Sequence, residues 1–288
     1  MGSRAGSKFR YFPELGKLKI MIPVSLTAFA GYFLFSPHIT LNLLFLTSGI
    51  LFIAVSASVL NQIQEAGYDK KMERTRNRPL PAGNLSPKDA LSFFILTFSA
   101  GIILISSTGS LVALFLCIFT MLWYNFVYTY LKRITAFAVI PGALTGALPP
   151  LIGWIAAGGD PLDIKIILIQ ALFFCGQIPH FWLFILKYGS EYQAAGFPTL
   201  TSRLSQKSIV RLILILIVVS ACLAACLVFY GLPSNRIFVS LVLSSSLLLI
   251  ASFTVFLIYG GKQIKRYSIM LDSYFLLIIL LLIADRII

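Results

Sequence analysis

The sequence predicts an all-α membrane protein, nine transmembrane helices around a central cavity. Three observations carry that expectation. The 288 residues are 58% hydrophobic and only 11% charged, with a mean hydropathy of +0.92. That leaves too few polar side chains to cover a water-soluble body of this size. Apolar runs long enough to span a bilayer can be read at about 18–37, 41–60, 91–107, 110–130, 137–157, 165–186, 208–231, 237–259 and 268–287. Nine such runs use up most of the chain, so one integral domain over 1–288 is expected, with no sizeable soluble domain.

The third observation is charge asymmetry. Basic residues gather before the first run (Arg4, Lys8, Arg10, Lys17, Lys19) and after the second (Lys70, Lys71, Arg74, Arg76, Arg78, Lys88). Lys132 and Arg133, then Lys187, Arg203, Lys207 and Arg211, then Lys262, Lys265 and Arg266 fall on the same side. Only Lys165, Arg236 and Arg286 of the 23 Lys and Arg fall opposite. The positive-inside rule then puts the N-terminus in the cytoplasm and, after nine crossings, the C-terminus outside. The net charge of +13 is thereby mostly a topology signal, and no nucleic-acid partner is implied.

Met1–Lys19 is basic but has no short apolar core with a small-residue cleavage site, so no cleaved signal is expected and 1–17 reads as a cytoplasmic tail. Cys117, Cys175, Cys222 and Cys226 all fall inside spans, where small packing residues are the natural reading. Outer loops are short, and His38 in one of them is given no role. The inner stretches 61–90 and 187–207 are long and rich in specific polar residues, which makes them the expected active-site loops.

In the first of them, Asn61, Glu65, Asp69 and Glu73 recur every four residues. If the preceding helix continues, they form one stripe on one face. Three of the chain's ten acids thus lie within nine residues, a repulsive grouping unless a cation bridges it. Asn, Asp and Glu offer the hard oxygens that Mg²⁺ accepts beside phosphate and water. Arg74, Arg76 and Arg78 follow at once, and guanidinium forks suit diphosphate oxygens. The bland alternative is a solvated helix end whose acids pair with neighbouring bases, with Pro79 and Pro81 as stops.

The second stretch follows the sixth run, which ends Pro179-His180-Phe181-Trp182 and continues through Lys187 to Glu191 and Tyr192. Second and sixth runs both exit on the inner side, as expected if two halves of a bundle face one cavity. Glu191 beside Lys187 is also compatible with a plain surface ion pair. His180 lies inside its span and is open to several readings: a packing residue, a haem-facing ligand, a propionate contact or a diphosphate donor. Between these stretches, Gly142 and Gly146 permit close helix approach. Pro149-Pro150 interrupt a span where a cavity wall or tight packing tolerates it. Lys132 and Arg133 sit at the inner rim, within reach of an anionic group.

The residues resemble a known family, the intramembrane prenyltransferases of the UbiA type, and among them the haem O synthase (protohaem IX farnesyltransferase) group. The likeness spans nearly all of the membrane domain. It rests on Asn61-Gln62, Glu65, Asp69, Met72, Arg74-Thr75 and Arg78-Pro79-Leu80; on Tyr128-Thr129, Leu131-Lys132-Arg133, Thr135, Gly142, Gly146-Ala147, Pro149-Pro150 and Gly153-Trp154; and on Pro179 to Trp182 with Tyr192, Ala195-Gly196 and Pro198.

The resemblance implies transfer of a farnesyl group from farnesyl diphosphate to a vinyl group of haem b in the cytoplasmic (inner) membrane, the site facing the cytoplasm. It implies Mg²⁺ held by Asn61, Glu65, Asp69 and Glu191, with Asn61, Glu65 and Asp69 catalytic. It implies diphosphate binding by Arg74, Arg78, Lys132, Arg133 and Lys187, and an acceptor or second-motif role for His180, Glu191 and Tyr192. Membrane lipid, haem A synthase and oxidase assembly proteins are the implied partners. One position departs from the pattern: Ser190 stands where the family carries a second acid before Glu191-Tyr192. That departure keeps open a relative with another acceptor, such as a quinone precursor, or a non-catalytic membrane paralogue. A transporter predicts a polar file through the bilayer, but only Lys165 and Asp272, near span ends, interrupt otherwise almost uncharged runs.

Overall fold

The computed structural model describes residues 8–288. Among them, nine helices are long and apolar enough to cross a membrane. They are α1 (Leu18–Phe35), α2 (Leu41–Asp69), α3 (Pro87–Ser106), α4 (Leu111–Leu131), α5 (Val139–Ala156), α6 (Ile164–Ala194), α7 (Gln206–Phe229), α8 (Arg236–Ile258) and α9 (Ile264–Ala284). The chain is a multi-pass, all-helical integral membrane protein. Several helices start on side-chain caps read directly from sequence: Thr40, Ser86, Ser110, Asp163, Ser205 and Asn235 each accept from a backbone N–H of the first turn.

Neighbouring helices pack in sequence, and α9 returns to touch both α6 and α1, which closes the bundle. The tightest seam is α1 against α5. A Cβ on Gly31 would fall on the Pro150 carbonyl, and one on Gly153 on the Ala28 carbonyl. Close approach, expected at Gly142 and Gly146, is real there too: a Cβ would meet the Tyr128 ring and the Gln177 side chain respectively. Pro149 and Pro150 are buried in a helix that runs on through them. Pro150 lies in the packing seam with α1.

Two helices overshoot the others. α2 has 29 residues and α6 has 31, lengths of about 44 and 46 Å at ~1.5 Å per residue, against a hydrocarbon core of about 30 Å. This corrects the expected boundaries. Helix α2 does not stop at 60 but carries Asn61, Glu65 and Asp69, and α6 carries residues 187–194, so the irregular connections are 70–86 and 195–205. The polar residues stay helical because the protein, not lipid, surrounds them: Asn61, Gln62, Glu65 and Asp69 are all buried. Glu73 is the exception, since the helix ends before it and it stands exposed. The stripe therefore has three members.

The N-terminal segment is not a loose tail either. A helical turn, Phe12–Leu15, tucks Leu15 against Val55, Val59, Leu80, Leu85 and Ala90. Lys8 pairs with Asp89 at the start of α3. The remainder of the expected tail, residues 1–7, lies outside the described residues.

Candidate active site

Three cations from three different elements meet the stripe on α2. Lys17, just before α1, donates to Asn61 Oδ1 at 3.3 Å. Lys132, at the end of α4, pairs with Glu65. Arg78, in the connection after α2, donates from one nitrogen to both Asp69 oxygens at 3.0 and 2.8 Å. Asn61 also donates to Thr129 Oγ1 at 3.1 Å, and that hydroxyl donates to the Tyr124 carbonyl. Tyr124 belongs to a stretch where α4 widens into a π-helical turn, Trp123–Tyr128, and Thr129 directly follows it, a local form often found at functional sites.

Lys17, which the sequence offered only as a topology charge, is thus part of the candidate site. Its backbone is left-handed (φ 48°, ψ 45°), an unfavourable conformation for a residue with a Cβ. Burial, then the nearby Arg78 and Lys132, bring its ammonium pKa down to about 7, against weaker opposing pulls from Glu65 and Asp69. The signal available in the sequence was only a lysine at the boundary of an apolar run, which membrane proteins carry routinely.

The other face of the site comes from α6. The Arg74 backbone N–H donates to Glu191 Oε2 at 3.0 Å, and its guanidinium donates to the Tyr192 hydroxyl at 3.4 Å while lying 5.0 and 5.4 Å over the rings of Phe184 and Tyr188. Met72, Ala195 and Phe197 form a small apolar cluster with Tyr68 and Tyr192, which fastens the two connections to each other. The Phe197 ring lies tilted, 4.8 Å from the Tyr68 ring and 5.4 Å from that of Tyr192. Below this latch a cleft opens, walled by Tyr128, Lys132, Phe181, Phe184, Tyr192 and Phe197.

Of the expected site residues, Asn61, Glu65, Asp69, Arg78 and Lys132 come together. Arg74, Glu191 and Tyr192 form the facing group. Arg133 does something else: it donates to the Gln64 carbonyl at 3.1 Å and lies between the rings of Tyr68 and Tyr130. It ties α4 to α2. Lys187 is exposed, its ammonium 4.6 Å over Tyr188. Glu191 is spent on the Arg74 backbone, and among the described residues no three His, Cys, Asp or Glu side chains gather as a metal cage.

The donor set nevertheless fits Mg²⁺. That ion takes one or two protein carboxylates and completes its shell with phosphate and water, so a three-acid cage is not required. Asn61, Glu65 and Asp69 offer hard oxygens along about 12 Å of one helix face. Glu65 Oε1 is buried, faces an ammonium and accepts no well-angled hydrogen bond, which marks it as available to a stronger electrophile.

The UbiA prenyltransferase family model matches residues 24–279. A Geobacter sulfurreducens protein named protoheme IX farnesyltransferase is 41% identical over 176 residues, which is 61% of this chain and 65% of that one. The match thus spans just under two thirds of that relative's length. A solved structure described as bearing on digeranylgeranylglyceryl phosphate synthase in membranes superposes with a TM-score of 0.79 at 18% identity, covering 97% of this chain and 99% of the other. A UbiA homologue from Archaeoglobus fulgidus bound to GPP and Mg²⁺ gives 0.69 at 15% identity, covering 98% of both chains. At such identities the structures speak for the fold, while the family match over residues 24–279 speaks for descent: the chain belongs to the UbiA prenyltransferase family.

Proposed function

We propose that this protein transfers a farnesyl group from farnesyl diphosphate to a vinyl carbon of haem b, yielding haem O, with Mg²⁺ as cofactor. The observation that carries the reading is the buried Asn61, Glu65 and Asp69 stripe, each member matched to a base from another element. The 41% identity to a protein named protoheme IX farnesyltransferase supports the acceptor. The A. fulgidus neighbour bound to GPP and Mg²⁺ supports the donor chemistry and the metal. By the positive-inside rule the site faces the cytoplasm.

Mg²⁺ held by Asn61, Glu65 and Asp69 would neutralise charge on the diphosphate as the allylic C–O bond breaks. Lys17, Lys132 and Arg78 would turn from the stripe to the diphosphate oxygens, and Arg74 closes over them from the α6 side. Such preplaced positive charge stabilises the departing diphosphate more than the intact ester, which is what lowers the barrier. The aromatic walls Tyr128, Phe181 and Phe184 present π faces that tolerate an allylic cation and keep bulk water away. The vinyl π electrons then form the new C–C bond; water adds as hydroxide to the resulting cation, releasing a proton.

The test is to incubate membranes holding the protein with haem b, farnesyl diphosphate and Mg²⁺, with and without EDTA. A haem O peak by liquid chromatography and mass spectrometry, abolished by EDTA, is expected. Its absence from folded, inserted protein would overturn the choice of haem b as acceptor.

A further inference from the structure

We propose that the start of α9 holds an anionic phospholipid: Lys262, Lys265 and Arg266 take the lipid phosphate, and the apolar face that begins at Ile269 takes an acyl chain. The inference stands apart from the prenyl-transfer reading and uses residues that the diphosphate site leaves free.

The sequence sets the charge. No Asp or Glu stands between Glu191 and Asp272, whereas Arg203, Lys207, Arg211, Lys262, Lys265 and Arg266 all fall on the side that carries the diphosphate site. Positive-inside topology accounts for their sign. It does not account for their lack of partners. Lys132 and Arg78 pair with Glu65 and Asp69, and Lys8 pairs with Asp89. Among the described residues Lys262, Lys265 and Arg266 form no ion pair, and all three are exposed. The next acid along α9, Asp272, was expected near a span end but lies two turns inside the helix, where it pairs with His180 Nδ1 at 2.7 Å.

The backbone then fixes where these cations stand. Gly260, Gly261 and Gln263 are left-handed, at φ 67°, 76° and 62°. The Gln206 amide at the start of α7 donates to the carbonyls of Gly260 and Gly261 at 3.2 and 3.0 Å. A Cβ on Gly261 would come within 2.9 Å of the Gln206 and Val210 side chains, so the turn lies close against α7. Beyond it an open cleft of about 470 Å³ is lined by Gln263, Lys265, Arg266, Ile269 and Met270.

Polar at one end and apolar at the other, this cleft has the plan of a lipid rather than of a soluble anion. Arg266, Ile269, Ser273, Leu276 and Leu280 follow the i, i+3, i+7, i+10, i+14 spacing of one helix face, and all are exposed. From Ile269 to Leu280 that face runs about 16 Å, which is the depth of one leaflet in a hydrocarbon core of about 30 Å. Above it the guanidinium fork of Arg266 suits phosphodiester oxygens, and lysine stems lie along apolar surface while their ammonium groups reach the headgroup level. A free phosphate would have no use for the apolar track.

The experiment counts lipid adducts on the purified full-length protein by native mass spectrometry, with phosphatidylglycerol or phosphatidylcholine of identical acyl chains titrated into the detergent. Wild type should retain phosphatidylglycerol and release phosphatidylcholine. Each cation near an anionic lipid surface is worth about a factor of five, so Lys265→Gln/Arg266→Gln should bind phosphatidylglycerol roughly 30-fold more weakly. Lys207→Gln/Arg211→Gln removes the same charge outside the cleft and should stay within a few-fold of wild type. An unchanged melting temperature reports folding, and should the first double variant insert poorly, Lys265→Gln and Arg266→Gln singly, each expected at about a fivefold loss, decide. Equal losses in the two double variants would reduce the site to diffuse charge and overturn the proposal. So would equal retention of the two lipids, or displacement of phosphatidylglycerol by inorganic phosphate, which would assign the cleft to a free anion.

Discussion

Replacing Asp69 with Asn separates the site's chemistry from its scaffolding. The side chain is only 2% exposed, and both oxygens accept from Arg78, whose own side chain is 20% exposed. Asn keeps the volume and one acceptor but removes the charge. The lost charge-assisted bonding should cost about 1.5–3 kcal/mol of stability. The upper figures for breaking fully buried pairs do not apply, because Arg78 keeps some water. Loss of a group that organises charge at the transition state costs more, about 2.7–4 kcal/mol, or roughly 10²–10³ in rate. The assay measures haem O formation per folded molecule across a Mg²⁺ titration, at a temperature below the melting point of the variant. The two losses then separate, since the stability cost lowers the melting temperature while the rate loss persists in folded protein. Unchanged turnover with an unchanged Mg²⁺ midpoint would remove Asp69 from the mechanism.

Other perturbations test neighbouring parts. Gly153→Ala drives a Cβ onto the Ala28 carbonyl in the α1–α5 seam and should destabilise by about 1–3 kcal/mol, seen as a lower melting temperature; an unshifted transition would mean the seam yields freely. Lys17 should make stability pH-dependent: its folded pKa of about 7 lies below the ordinary 10.5, so between those values the unfolded chain binds more protons and stability rises with pH. Melting curves from pH 7 to 10 should show that rise flattened in Lys17→Met, and parallel profiles would contradict the assignment. Ser190 is exposed near the end of α6, so Ser190→Asp should fold normally and tighten the Mg²⁺ midpoint if the missing acid merely weakens the site. An identical titration rejects that account.

Much of this was legible from spacing alone. The apolar runs give all nine helices, and the four-residue repeat Asn61, Glu65, Asp69 holds because α2 continues. What a linear pattern cannot carry is pairing between distant elements. Lys17 looks like any topology-setting lysine until folding lays it on Asn61, and Lys132, expected to face an anionic group at the inner rim, lies on Glu65. Arg133 stands beside Lys132 in the turn that follows α4, yet it reaches the Gln64 carbonyl instead. Helix ends misled for a related reason. Hydropathy marks where lipid stops, whereas α2 and α6 end where protein contacts stop, two turns later.

That overshoot explains why the site can hold so much charge. Carboxylates within the hydrocarbon are costly, and carboxylates fully in water would be screened. The ends of α2 and α6 put them between, covered by the turn at Phe12–Leu15 and by the Met72, Ala195 and Phe197 latch. Burial there is tolerable only with a partner for every charge, and the structure supplies one base per stripe residue. On the proposed chemistry those bases serve twice, first as partners for the stripe and then, as a metal takes the stripe's oxygens, as partners for the diphosphate. Asn at the first position follows from the same balance. Burial and the neighbouring Arg78 and Lys132 already hold the Lys17 ammonium pKa down, so its partner at position 61 is an uncharged amide rather than a third buried carboxylate.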